Sequence, residues 1–292
     1  MRRAAAALGL LALLAGSQGA GAQEIGGAAA PPAGPGAAGA GEGGVAPGAG
    51  AGAWLASLRV DRLAGGGGDG GEDAVGGRVE VGRLWRRPDG ATLGASAEAF
   101  RLSDVEWLAG RLLGTLPLSA ATTLHGGGTF GPGRERGEDL TYLELRAGAT
   151  RRLGTEPLFA TVEDLYLEVG NAHGNLVKGT LTAGFAGGHL ASLTYGRSTG
   201  GNLGFEYASV RWDGGLGGRR ALAGFSFGDS RPEVLGLFDA AEATRFEEAF
   251  AGVVLETAQA EVTLVLAYQE VADLRRTSLT VSLRLPHREA AR

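Results

Sequence analysis

The chain has 292 residues, 44% of them hydrophobic, with 54 glycines, no cysteine and a formal net charge of −5. The acidic balance argues against a nucleic-acid partner. No Gly-X-Y period accompanies the glycine excess, which excludes a collagen-like rod, and the cysteine-free composition fits an oxidising compartment.

The amino terminus reads as a secretory leader over residues 1–22. Arg2 and Arg3 form a positive region, Ala4 to Ala15 an apolar run, and Gly19-Ala20-Gly21-Ala22 a small-residue cleavage site before Gln23. Residues 23–53 are almost wholly Gly, Ala and Pro, with Ile25 and Val45 as the large apolar side chains. Such a stretch cannot offset the entropy of ordering, and it is read as a linker.

From Trp54 onward the dominant period is two, the period of strands. At the carboxyl end Thr277, Leu279, Val281, Leu283 and Leu285 alternate with Ser278, Thr280, Ser282 and Arg284. Similar alternation carries strands near 54–63, 78–87, 91–101, 105–113, 117–129, 139–151, 157–169, 175–186, 189–197, 203–207, 220–227, 246–257 and 262–269. Turn signals such as Pro88-Asp89-Gly90 and Asp213-Gly214-Gly215 separate them. The expectation is an all-β fold over 54–286, an antiparallel up-and-down transmembrane barrel with a short tail at 287–292. At about 19 residues per strand and turn, about 12 strands fit best, with about 10 or 14 as alternatives.

In such a barrel the polar face lines the interior. The mid-strand charges Arg59, Arg78, Glu80, Glu144, Arg146, Asp164 and Glu168 are therefore the candidate lumen residues. Trp54, Trp85, Trp107, Tyr142, Tyr166, Tyr195, Tyr207, Trp212 and Tyr268 fall near strand ends, where interfacial girdles form. The last strand ends at Leu285 rather than at the aromatic residue on which many outer-membrane barrels end. A secreted soluble sandwich that binds carbohydrate stays open at this point, since its solvated face would carry the same charges.

The segment Gly187 to Val234 resembles part of the YaiO-type outer-membrane barrel domain. The resemblance lies in Ser198, Tyr207 with Arg211-Trp212, Asp213-Gly214, Gly224 and Ser230-Arg231-Pro232-Glu233. The inserted Arg231 and the lack of a tandem Arg-Arg-Tyr depart from that pattern. The resemblance implies an outer-membrane location and an association with envelope polysaccharide.

Catalytic chemistry is sparse. His125, His173, His189 and His287 are scattered, and none stands at metal-ligand spacing from another histidine. Glu163-Asp164 and Glu247-Glu248 are adjacent carboxylates of the kind that decorate solvated edges. Residues 230–245 read as a long excursion between strands. The expected function is a non-enzymatic outer-membrane barrel, a pore or an export component, with no metal or other cofactor. Its expected partners are membrane lipid, the barrel-insertion machinery and polysaccharide. A barrel enzyme using one of the histidines on envelope lipids is the alternative.

Overall fold

The computed structural model describes residues 52–65, 74–102, 105–135, 137–201, 204–216, 219–231, 244–257, 259–271 and 274–286. The expected leader, most of the expected linker, the expected tail and the centre of the expected 230–245 excursion lie outside these residues.

Fourteen strands follow one another along the chain. They are β1 (Ala53–Gly65), β2 (Ala74–Arg86), β3 (Thr92–Leu102), β4 (Val105–Pro117), β5 (Thr122–Glu135), β6 (Glu138–Arg152) and β7 (Leu158–Val169). The second half comprises β8 (Ala172–Phe185), β9 (His189–Gly201), β10 (Gly204–Leu216), β11 (Arg219–Arg231), β12 (Thr244–Glu256), β13 (Glu261–Val271) and β14 (Leu274–Pro286). Each pairs antiparallel with its sequence neighbours, and β1 pairs with β14 from Ala53↔Pro286 to Gly65↔Leu274, which closes the barrel. Closure leaves no open sheet edge, the condition for placing strands in lipid.

The count is fourteen rather than twelve. Every alternating segment is a separate strand, because several hairpins are tighter than the sequence estimate allowed. Residues 136–137 and 170–171 suffice to join their strands, with Gly137 and Gly170 at φ of 83° and 59°. These left-handed positions suit glycine. Between β8 and β9 the chain turns through a short 3-10 segment, Ala186–Gly188, with Gly187 and Gly188 at φ of 79° and 77°.

Both chain ends enter the barrel at one rim, here the terminal rim; the hairpins β1–β2 and β11–β12 turn at the far rim. The two faces of the wall are chemically opposite. Outward positions carry Leu58, Val60, Val79, Val81, Leu112, Leu145, Val210, Leu266 and Leu279, and Leu108 and Phe130 are each 62% exposed. Inward positions carry charge: Asp61 is 0% and Arg276 1% exposed. A soluble protein would arrange these faces the other way round, so the apolar exterior is a lipid-facing surface and the strands span a membrane. This removes the soluble sandwich.

The glycine excess also finds a use in this wall. At inward Gly148 a Cβ would lie 2.4 Å from the His125 ring, and at inward Gly224 it would lie 2.4 Å from the Phe250 ring. Gly196 likewise leaves room for Tyr207. Each glycine is a recess in which a bulky cross-strand neighbour lies flat against the wall.

Candidate functional site

Because successive side chains alternate faces, register decides what enters the lumen. Arg59, Arg78, Glu80, Glu144 and Arg146 all fall on the inward face. There they join Asp61, Glu98, Arg111, Glu163, Lys178, Asp213, Glu248 and Arg276.

The largest network spans β2 to β6. Glu98 accepts from Arg78 and, at 3.0 Å, from Trp107 Nε1, and it lies 3.0 Å from Arg111. Arg111 also reaches Glu80 at 3.2 Å and donates to Thr129 at 3.0 Å, while Ser96 donates to Glu80 at 2.7 Å. Further round the wall, Glu144 accepts from Tyr142 at 3.1 Å and from Arg146. Every carboxylate in this set holds at least one charge-assisted hydrogen bond, the strong class at low dielectric.

A second cluster straddles the closing seam. Asp61 accepts from Arg59 at 2.8 Å and from Arg276 at 2.9 Å, and Arg59 donates to Ser278 at 2.9 Å. Buried Gln269 lies between Glu248 and Arg276 in the register. A third group joins Lys178 to Glu163 at 2.5 Å and His125 to Glu163 at 3.4 Å. A fourth pairs Arg220 with Asp213 at 2.8 Å.

The Arg220–Asp213 pair lies at the terminal rim, and the first three groups lie between the two rims of a graded lumen. Towards the terminal rim, hydroxyl pairs line it: Thr92–Thr115, Thr150–Thr161, Thr180–Thr194 and Ser57–Ser282, at 2.8 to 3.1 Å. Towards the far rim, Phe100, Trp107 and Tyr142 stack with ring separations of 4.0 and 5.1 Å. A barrel this wide has room for an aqueous path along its axis. Its inward charges are buried against one another and against their neighbours on the wall.

Asp164 and Glu168 do not belong to the lumen. On β7 the inward set is Phe159, Thr161, Glu163, Leu165, Leu167 and Val169, so both acids face outward. Glu168 accepts from the outward Tyr166 at 2.8 Å. In the adjacent pair Glu163-Asp164 the two carboxylates necessarily fall on opposite faces, and the inward one is Glu163. Sequence reasoning also passed over Glu98 and Arg111, which occupy inward positions of strands it had recognised, and it placed Arg276 in the turn before the last strand, whereas Arg276 is an inward residue of β14.

The aromatic residues divide as well. Trp54, Trp85 and Trp212 face outward on the terminal-rim side. Tyr166, Tyr195 and Tyr268 face outward and give their hydroxyls to Glu168, Glu206 and Glu270, each nearer the far rim. Trp107, Tyr142 and Tyr207, expected in the girdles, point inward instead, because their parity matches that of Arg111, Glu144 and Asp213.

Of the histidines, His125 is inward, His173 lies at the far end of β8, His189 stacks on Trp212 at 5.7 Å and His287 lies outside the described residues. Among the described residues, no three His, Cys, Asp or Glu side chains are grouped to hold a metal ion.

No known family model and no curated protein matches the sequence. Solved structures do. Pseudomonas aeruginosa OccK8 (OprE) is 10% identical, covering 82% of this chain and 98% of its own, at a TM-score of 0.43. The KdgM porin in complex with disordered oligogalacturonate is 7% identical, covering 78% and 97%, at 0.43. A bacterial polysaccharide outer membrane secretin is 11% identical, covering 80% and 99%, at 0.46. At such scores the fold stands on this chain's own closed register: it is a fourteen-stranded transmembrane β-barrel of the outer-membrane type.

Proposed function

We propose that this chain is a non-enzymatic barrel of the bacterial outer membrane, a pore for small polar solutes whose lumen is narrowed by its own ion pairs. The observation that carries this reading is the band of inward arginines and carboxylates around Glu98, Arg111 and Asp61, flanked by hydroxyl ladders on one side. Fixed charges of both signs facing a hydrated path select by size and polarity. The resemblance over Gly187 to Val234 supports placing the barrel beside YaiO-type proteins, with envelope polysaccharide as the polymer associated with it.

The test is conductance across planar lipid bilayers. The full chain should give small, regular current steps, and a Glu98→Ala/Arg111→Ala double variant should give larger ones, because that pair narrows the path. Silence from both folded proteins would sink the pore. Turnover of envelope lipid that disappears in His125→Ala would overturn the non-enzymatic assignment.

A further inference from the structure

The lipid-facing wall carries one cation in an unusual setting. Arg83 of β2 lies directly across from Trp54 of β1, and Trp85 follows two residues later on the same outward face. The guanidinium carbon lies 5.3 Å from the Trp54 ring and 5.5 Å from the Trp85 ring. Trp54 also opposes Leu285 of β14, and Trp85 opposes Leu93 of β3, so exposed apolar side chains flank the group on both sides.

Two indoles engage the guanidinium through cation–π attraction, which is stronger on Trp than on any other ring. They leave its hydrogen-bond donors unspent, since no carboxylate bonds Arg83 among the described residues. Outward tryptophans settle at headgroup depth, which sets Arg83 at the level of the lipid phosphates.

The surrounding charge agrees. In the terminal third of the wall, the outward strand positions carry Arg83, Arg151 and Arg219 and no carboxylate. Near the far rim the outward face carries acids beside its arginines: Arg197 pairs with Glu206, Arg245 with Glu247 and Arg275 with Glu270, and Glu106 stands across from Arg101 in the register. Outward arginines at a level where no outward strand position holds an acid are therefore confined, among the described residues, to one leaflet.

We propose that Trp54, Arg83 and Trp85 form a binding site for the phosphate of an anionic phospholipid in the leaflet at the terminal rim. Arg83 donates to the phosphate oxygens, the indoles hold the guanidinium in place, and Leu93 and Leu285 meet the upper acyl chain. A net negative headgroup is favoured over a zwitterionic one, whose own cation competes for the phosphate.

Native mass spectrometry of the full chain from micelles holding equal phosphatidylglycerol and phosphatidylcholine tests this. The wild type should retain phosphatidylglycerol preferentially. Arg83→Gln should lower that retention about fivefold, the factor one arginine contributes at an anionic surface. Trp54→Leu/Trp85→Leu, which keeps the charge and removes its holders, should also lower it. Heat-modifiable gel mobility shows that each variant is folded. Equal retention by the wild type and Arg83→Gln, or no preference between the two lipids in the wild type, would overturn the site.

Discussion

The seam between β1 and β14 and the wall from β2 to β6 bury the same residue types, yet they are assembled from very different stretches of chain. In the wall, Trp107 and Glu98 are 9 residues apart and Arg111 and Glu80 are 31 apart. At the seam, Arg276 and Asp61 are 215 apart, and Arg59 and Ser278 are 219 apart. Wall contacts can form as soon as neighbouring hairpins meet, whereas seam contacts exist only in the closed barrel. The wall is also redundant, with Glu80 and Glu98 both serving Arg78 and Arg111. At the seam, Asp61 alone accepts from two arginines. Identical chemistry is a shared network in one place and a single latch in the other.

Removing the latch should have the largest effect. Asp61→Asn leaves Arg59 and Arg276 facing each other without their carboxylate, and breaking a buried pair costs about 3–5 kcal/mol. Urea unfolding in detergent micelles should show that loss, and hydrogen exchange should rise first along β1 and β14. A uniform rise around the barrel would break the comparison. Glu98→Gln should cost less, about 2 kcal/mol, the scale of a hydrogen bond to a charged group. Arg111 still lies 3.2 Å and Arg78 3.6 Å from Glu80. Exchange at the seam should stay at its wild-type level in that variant.

This contrast was only half legible in the sequence. Period-two alternation located all fourteen segments, and it placed Arg59, Arg78, Glu80, Glu144 and Arg146 where the barrel turns them inward. It failed at Asp164 and Glu168 because β7 carries acids on both faces, so charge alone does not indicate which parity is inward. Register against Lys178 of β8 resolves it, since Glu163 lies opposite that lysine. Trp107 and Tyr142 misled for a related reason: an aromatic residue near a strand end is a girdle residue or a lumen plug according to parity alone. The Asp61–Arg276 latch had no local signal, because its partners meet only through closure.

The smallest effect sharpens the comparison furthest, because it removes one hydroxyl and no charge. Ser57 and Ser282 share a hydrogen bond of 3.1 Å across the seam, and Thr92 and Thr115 share one of 2.8 Å within the wall. Ser57→Ala and Thr92→Val should each cost about 0.5–1 kcal/mol, the net contribution of a neutral hydrogen bond. Their distribution should differ more than their size. Ser57→Ala weakens a contact whose partners lie 225 residues apart, so exchange should rise at the terminal end of β1 and β14, where fraying begins. Thr92→Val weakens a contact inside a hairpin held on both sides by β2 and β5, and its loss should spread without favouring any strand. Matching exchange patterns in the two variants would mean that the seam is held no differently from the rest of the wall, and that Asp61 contributes only its charge.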